Sequence, residues 1–387
     1  MTESKVSPVL ERAKRLTPLI QAYRMKSEDA CRMAPAVHEA LLESGMYAAT
    51  APVEVGGDEL SLSDQARVTE QVAYADPSVA WCLLNSWASS SLASRLQPDA
   101  RSRAFVEPNA LFGFGFAPAG RAVPTPEGFR VTGRWPVVSG CEVAGRFALN
   151  SVVMNGDAPN VVDGRPDARF MLLAPEAVEI LDTWRDVQGL RGSGSHAIEV
   201  KDALVASDSA VRFADPLLID RPAFRFGMVL PSFVGSGAAL LGAARAALDG
   251  LIAQATDRVS LASGQAWRDW PNIQDTVATT AAAVLSANAG LIEASEQAWA
   301  TVQDSPEAPL RERGLLYATI DHAHQTAREA VSRLYTAGSI DGLHRGHILE
   351  QSLRDVHALS VNWERYKQIH YDAGRVLMGL PPLSALY

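Results

Sequence analysis

Residues 133–153 read GRWPVVSGCEVAGRFALNSVV. Gly and Trp open the stretch, Ser139-Gly140 turns the chain, and the residues that follow alternate as a strand does. Glycine supplies positive φ at such a turn, so the Ser139 hydroxyl serves either a turn between strands or a group laid against a strand end. The flanking sequence decides the fold. Between Ala110 and Phe213, Gly and Pro are dense, and the runs GFRVTGRW, RFALNSVVM, ARFMLLA and HAIEVKDALV read as strands of a sandwich or small barrel.

On either side the period is helical. Upstream, residues 6–44 carry apolar residues at helical spacing and predict two amphipathic helices ending at Gly45. A Pro and a Gly-Gly pair then break the chain, and Ser63 or Asp64 caps a helix running toward Tyr74. After Asp76-Pro77-Ser78, the stretch SVAWCLLNSWASSSLASRL is apolar on nearly all sides, as a buried helix is. Downstream, residues 230–257, 273–303, 308–337 and 348–378 form long segments with short loops, the pattern of a four-helix bundle. The class is α+β: an N-terminal helical domain (1–107), a middle β-sandwich or barrel domain (108–222) and a C-terminal four-helix bundle (223–387).

Bulk properties exclude several functions. The 35 Lys and Arg against 44 Asp and Glu, a net charge of −9, disfavour duplex DNA or an anionic membrane as main partner. Cys31, Cys82 and Cys141 are odd in number and widely spaced, neither a disulfide framework nor a zinc knuckle, which suits a reducing cytoplasm. MTESKVSPVLERAKRL lacks the apolar core of a signal peptide, and no later run reaches about 18 uninterrupted apolar residues. No metal site is expected. His322 and His324 stand about 200° apart on a helix, while His344 and His347 lack companion ligands and read as exposed loop residues. Trp267 and Trp270, in the loop SGQAWRDWPNIQ, read as packing residues, and His357 as structural or exposed.

Five stretches in order resemble the acyl-CoA dehydrogenase superfamily, and within it the two-component flavin-dependent monooxygenases known as group D. They are ESGMYAATAPVEVGGDELSL, GFGFAPAGRAVPTPEGFRVTGRWPVVSGCEVAGRF, DTWRDVQGLRGSGSHAIEV, LYTAGSIDGL and LRDVHALSVNWERYKQIHYDAGRVLMGLPP. The resemblance implies a flavin against Ser139, with Gly140, Trp135, and Phe116 and Ala117 of GFGFAPAG around it. In RGSGS it implies Arg191 and Ser193, with Ser195 also in reach of flavin or substrate. Arg258 and Gln274 match positions that reach the flavin of a neighbouring subunit, an arginine suiting a phosphate. Gly338, with Ser339, matches a turn near the cofactor's pyrophosphate, although Leu334 replaces the Gln that usually precedes it.

The same resemblance bears on the reaction. In dehydrogenase relatives a Glu lies nine residues beyond the Arg of an Arg-Asp-Ala motif; here that place is Trp363, and Glu364 is turned by about 100°. Monooxygenation is therefore expected, with dehydrogenation or oxidation by the flavin as the alternative. Asn362 stands where monooxygenase relatives carry a His, and Asn85, Ser86, Trp87 and Ser89 occupy a helix where many carry another. The expected catalytic residues are Asn362 and Ser139, and the expected substrate residues are Asn85, Ser86, Trp87, Ser89 and Asn362. The expected substrate is a small aromatic, indole-like or phenol-like, or an amine; because Asn cannot exchange a proton near neutral pH, phenol deprotonation is disfavoured and an electron-rich indole-like ring or a neutral amine fits better. With no G-x-G-x-x-G after a strand, reduced FMN or FAD is expected from a separate NAD(P)H:flavin reductase, with O2 as co-substrate. The Ala-rich faces of the long helices, together with the resemblance, imply a homotetramer.

Overall fold

The computed structural model describes residues 7–106, 109–260 and 263–384, and the backbone alone of Asn362. The expected boundary between residues 107 and 108 falls outside the described residues. Helices come first: α1 Pro8–Ala30, α2 Pro35–Glu43, α3 Leu62–Ala75, α4 Pro77–Ser90 and α5 Pro98–Ala104. The cap of α3 is Ser61, whose Oγ accepts from Asp64 N at 3.1 Å, not Ser63 or Asp64. Leu60 and Leu62 are both buried, so the apolar pair bracketing Ser61 places the helix start. Asp76 caps α4 by accepting from Ser78 N at 2.8 Å, with Pro77 in the first turn where no donor is lost.

The strands follow: β1 Phe112–Thr125, β2 Gly128–Trp135, β3 Arg146–Asn155, β4 Ala158–Pro159, β5 Val161–Val162, β6 Arg165–Pro166, β7 Ala168–Leu173, β8 Glu179–Leu181, β9 Ala197–Ala206 and β10 Ala210–Arg212. The main sheet runs β10-β7-β3-β1-β2-β9-β8, with β4 beside β3. The pair β1/β3 is parallel and the other pairs are antiparallel. Residues of β7 and β9 share one apolar core with Trp135, Phe147 and Leu149, so the sheet closes around its own side chains. Its other face, with Phe112, Phe114 and Phe170, packs on Leu92, Ala93 and Phe105.

Trp135 lies inside that closed core, its indole N–H donating to Asn150 O at 3.0 Å. A Cβ on Gly115 would lie 2.7 Å from the indole, and one on Gly120 2.6 Å from it. Bare backbone at those two positions of β1 is what admits the ring.

The remaining helices are α6 Val229–Asp257, α7 Pro271–Thr301, α8 Leu310–Ala337, α9 Ile348–Glu364 and α10 Lys367–Leu377. The segment expected as one helix over 348–378 is thus two. Tyr366 packs on Phe233 of α6 at 5.4 Å between centroids, and Lys367 and His370 turn toward Asp321 of α8, which bends the chain after Glu364. The N-terminal helices and the bundle share one apolar core, with Leu41, Val68 and Val79 in the same cluster as Leu240, Leu316 and Trp363. Helices α6 and α7 are long and apolar enough to cross a membrane by length and composition, but 72% of the apolar window of α6 is buried in this fold. Helix α7 presents an outward stripe containing Ala278, Ala282, Leu285 and Ala289.

Candidate active site

Ser139 follows β2 at a turn closed by Gly140 at φ +67°. The turn is pinned to RGSGS: Val138 N donates to His196 O at 3.0 Å and Gly140 N to Ser193 O at 2.8 Å. Three hydroxyls then line up. Ser193 Oγ donates to Leu190 O at 2.7 Å and lies 2.7 Å from Ser195 Oγ, which donates to Ser139 Oγ at 2.8 Å. Ser139 is only 3% exposed, while Val137 beside it is 51% exposed. Val137 is thus the exposed side chain of this turn, and Ser139 offers a cofactor only a small part of its surface. Cys82 and Cys141 donate to Ser193 O and Gly194 O, each at 3.4 Å, and burial pushes both thiols up, Cys141 to about 12. Both thiols are protonated and serve packing.

A second exposed surface comes from β1. Its register against β3 shifts between Gly115 and Gly120, leaving Phe116, Ala117 and the two residues after them exposed. Asn150 Nδ2 holds this bulge by donating to Phe116 O at 2.9 Å, and Asn150 Oδ1 is buried with no partner among the described residues. Trp135 sits below the bulge and exposes almost nothing. Arg191 is engaged elsewhere: its guanidinium donates to Arg185 O at 2.9 Å, Val187 O at 2.8 Å and Cys31 Sγ at 2.9 Å, bracing the loop that leads into RGSGS.

Helix α4 divides the expected substrate residues. Cys82 marks the side facing the hydroxyl chain, and Asn85 and Ser89, about one and two turns on, share that side. Asn85 Nδ2 donates to Trp81 O at 2.7 Å, and Ser89 Oγ donates to Asn85 O at 3.3 Å. Ser86 is committed to the fold, accepting from Phe112 N at 3.1 Å. Trp87 points to the other side, donating to Met46 O at 2.8 Å and lining a narrow cavity with Thr50, Leu84, Ser91, Met228 and Ser232. Helix α9 packs on residues 188–190, which lead into the hydroxyl chain. Asp355 Oδ1 accepts from Leu190 N at 2.7 Å, Ala358 abuts Gly189, and position 362 is one turn further on the same side. The side chain of Asn362 lies outside the described residues.

The end of α9 is occupied in a way the sequence reading did not foresee. Trp363 is buried in the bundle and donates to Asp321 Oδ1 at 2.7 Å. Glu364 points outward and pairs with Arg328 at 2.9 Å. Asp321 also accepts from Gln325 Nε2 at 2.6 Å and pairs with Lys367. Beside it, His324 shares a hydrogen bond with Ser236 Oγ at 3.0 Å, and burial pushes its pKa down to about 3, so the ring is neutral. DHAH was visible in the sequence, yet nothing local tied it to Trp363, 42 residues away. His322 and His357 are exposed, and His347 caps α9 by accepting from Leu349 N at 3.3 Å. Among the described residues no group of three or more His, Cys, Asp or Glu could hold a metal.

Arg258, Gln274 and Gly338 gather elsewhere, where α6 ends, α7 begins and α8 ends. Arg258 pairs with Asp341 and lies 4.2 Å over Trp267, which stacks on Trp270 at 5.7 Å. Gln274 Nε2 donates to Arg268 O at 3.0 Å, and Gln254 Nε2 to Gly338 O at 3.1 Å.

Two family models match the chain: acyl-CoA dehydrogenase, N-terminal domain, over residues 12–97, and acyl-CoA dehydrogenase, C-terminal domain, over residues 234–362. The indole-3-acetate monooxygenase of Pseudomonas putida is 29% identical over 353 residues, which span 90% of this chain and 87% of that protein. The oxygenase component of the FADH2-dependent resorcinol hydroxylase of Rhizobium sp. (strain MTP-10005) is 26% identical over 94% of this chain and 92% of its own. The crystal structure of 3-HSA hydroxylase from Rhodococcus sp. RHA1 superposes with a TM-score of 0.89 at 23% identity, covering 100% of both chains. The helices, the sheet between them and the matched segments agree: the chain belongs to the acyl-CoA dehydrogenase superfamily, in its branch of flavin-dependent monooxygenases.

Proposed function

We propose that this chain is the oxygenase component of a two-component system, taking reduced flavin from a separate NAD(P)H:flavin reductase and oxygenating a small aromatic ring, indole-like or phenol-like, or an amine. The observation that carries this over dehydrogenation is the end of α9. Trp363 is turned into the bundle and Glu364 onto Arg328, so neither places a carboxylate where a substrate proton could be removed.

The residues present fit a flavin. Ser139 Oγ accepts from Ser195, which leaves its own O–H to donate to an acceptor on a planar ring, and Asn150 Oδ1 is a buried acceptor beside the Phe116 bulge with no partner among the described residues. A reduced flavin, once bound, supplies the activation of O2 and delivers one oxygen atom to the substrate. Phe116, Ala117 and Val137 would cover its apolar face and exclude water. Asn85 and Ser89, with Asn362 of α9, would orient the substrate's polar group without moving a proton. Arg258, Gln274 and Gly338, grouped at the bundle end near the start of α7, would serve the flavin of a neighbouring copy in a homotetramer joined in part through the outward face of α7, where Leu285 is 71% exposed. A cytoplasmic setting suits its free, buried cysteines.

The test is a reductase-coupled assay over a panel of indoles, phenols and amines under isotopically labelled dioxygen. Incorporation of one labelled atom into product is expected. Substrate-dependent bleaching of oxidised flavin without oxygen, and no labelled product, would establish the dehydrogenase alternative instead.

A further inference from the structure

Leu190 holds a backbone conformation that its side chain disfavours, at φ +53°. Its carbonyl is a hub, accepting from Ser193 N at 3.0 Å, Ser193 Oγ at 2.7 Å and Trp184 Nε1 at 3.1 Å. Its amide is taken by Asp355 Oδ1 from α9, at 2.7 Å. Arg354, the preceding residue, donates to Gln188 O and pairs with Glu28 at 2.7 Å, so two consecutive residues of α9 grip residues 188–190. Asp355 itself is buried, and its second oxygen has no partner among the described residues.

We infer that Asp355 is a positioning residue for the flavin shelf: by holding the left-handed turn at Leu190 it sets the Ser193–Ser195–Ser139 hydroxyl chain, and through it the orientation of the Ser139 hydroxyl. The link to flavin rests on the function proposed above; the link from Asp355 to Ser193 does not. An ionised acceptor holds an amide more tightly than a neutral one. Asp355→Asn keeps an oxygen for Leu190 N, removes the charge and sets an NH2 where the unpartnered oxygen stands.

Hydrogen exchange on flavin-free protein, at about pH 8 and so above the pKa of about 7 to which burial raises Asp355, reads the first link. In Asp355→Asn the amides of Leu190 and Ser193 should exchange about tenfold faster while the rest of α9 keeps its protection. Anaerobic titration with reduced FMN and FAD reads the second, where binding should weaken by about threefold to tenfold. In a Ser193→Ala background the same change at Asp355 should no longer alter flavin affinity. Ser193→Ala alone covers a failure of Asp355→Asn to fold: it should weaken flavin binding yet leave the Leu190 amide protected.

Unchanged exchange at Leu190 and Ser193 in folded Asp355→Asn overturns the inference. Loss of Leu190 protection in Ser193→Ala does so too, since the turn would then be held by Ser193. Additive losses of flavin affinity in the double variant overturn it as well. Faster exchange with flavin affinity unmoved in Asp355→Asn and in Ser139→Ala instead overturns the placement of flavin on this shelf and leaves the Asp355 grip standing.

Discussion

Replacing Asp321 with Asn tests whether one buried carboxylate sets the bend between α9 and α10. Asp321 is 1% exposed and receives Trp363 Nε1 at 2.7 Å and Gln325 Nε2 at 2.6 Å, with Lys367 and, at 3.4 Å, His370 on the same group. The Asn oxygen can still accept from the indole and from Lys367, but the ammonium loses its counter-charge, and the Asn NH2 stands in place of Oδ2, donor against donor with Gln325 Nε2. Stranding one member of a buried pair costs about 3–5 kcal/mol. The Lys367 side chain is 24% exposed, and water recovers part of that cost, leaving about 2–3 kcal/mol.

The loss should be local, because Lys367 and His370 both belong to α10. Native-state hydrogen exchange should therefore show amides of α10 opening roughly 30- to 150-fold faster while α7 is unaffected. Burial pushes the Asp321 carboxyl up, but the bonds from Lys367 and Trp363 pull it further down, so the net shift is downward. A lowered native pKa gives stability that is present above the ordinary value of 3.8 and lost as pH falls through the native one. The difference between wild type and variant should hence shrink in acid. Equal exchange of α10 in the two proteins at neutral pH would refute the reasoning.

Other outcomes follow from the same geometry. Trp87→Phe should cost about 1 kcal/mol of stability by losing the bond to Met46 O, with KM for the aromatic substrate within about twofold, whereas Asn85→Ala should raise that KM about tenfold; steady-state kinetics showing the reverse would put the substrate in the Trp87 cavity. Burial pushes the Asp76 carboxyl up to about 6. A raised native pKa gives stability that is complete below the ordinary carboxylate value and lost as pH rises through about 6, so urea titrations should show Asp76→Asn gaining on wild type across that window, by at most about 3 kcal/mol. Gly120→Ala should cost about 1–3 kcal/mol by forcing a methyl onto Ser151 Oγ and the Trp135 ring, read in the melting temperature, and Trp135→Phe in the same chain should recover the part due to the ring.

Strands β2, β3, β7 and β9 were legible because alternating burial writes itself into alternating residue types. β1 was not, since Gly115 and Gly120 answer to a ring on the neighbouring strand rather than to the alternation of their own. The bend after Glu364 was equally silent: no Pro or Gly marks it, and its causes, Phe233 and Asp321, come from other helices. At the site, Ser139, Ser193 and Ser195 could be grouped only through family resemblance. Asp355 could not be grouped with them at all, because its contact with Leu190 joins positions 165 residues apart. Trp87 and Asn85 looked equivalent in one apolar run until the helix put them on different sides.

The core shared by α1–α4 and the bundle has a consequence for how the chain can be cut. The helical body is one cooperative unit whose sequence is interrupted by the sheet, so the sheet is topologically an insertion and the leading helices are no autonomous module. Truncation before α6 should leave α3 and α4 without their apolar counterpart and yield an insoluble fragment. Excision of the strands and a short splice from α5 to α6 would instead retain all of that core's buried residues except Leu111 and Leu190, which makes the helical body, and not either terminal third, the smallest piece worth expressing alone.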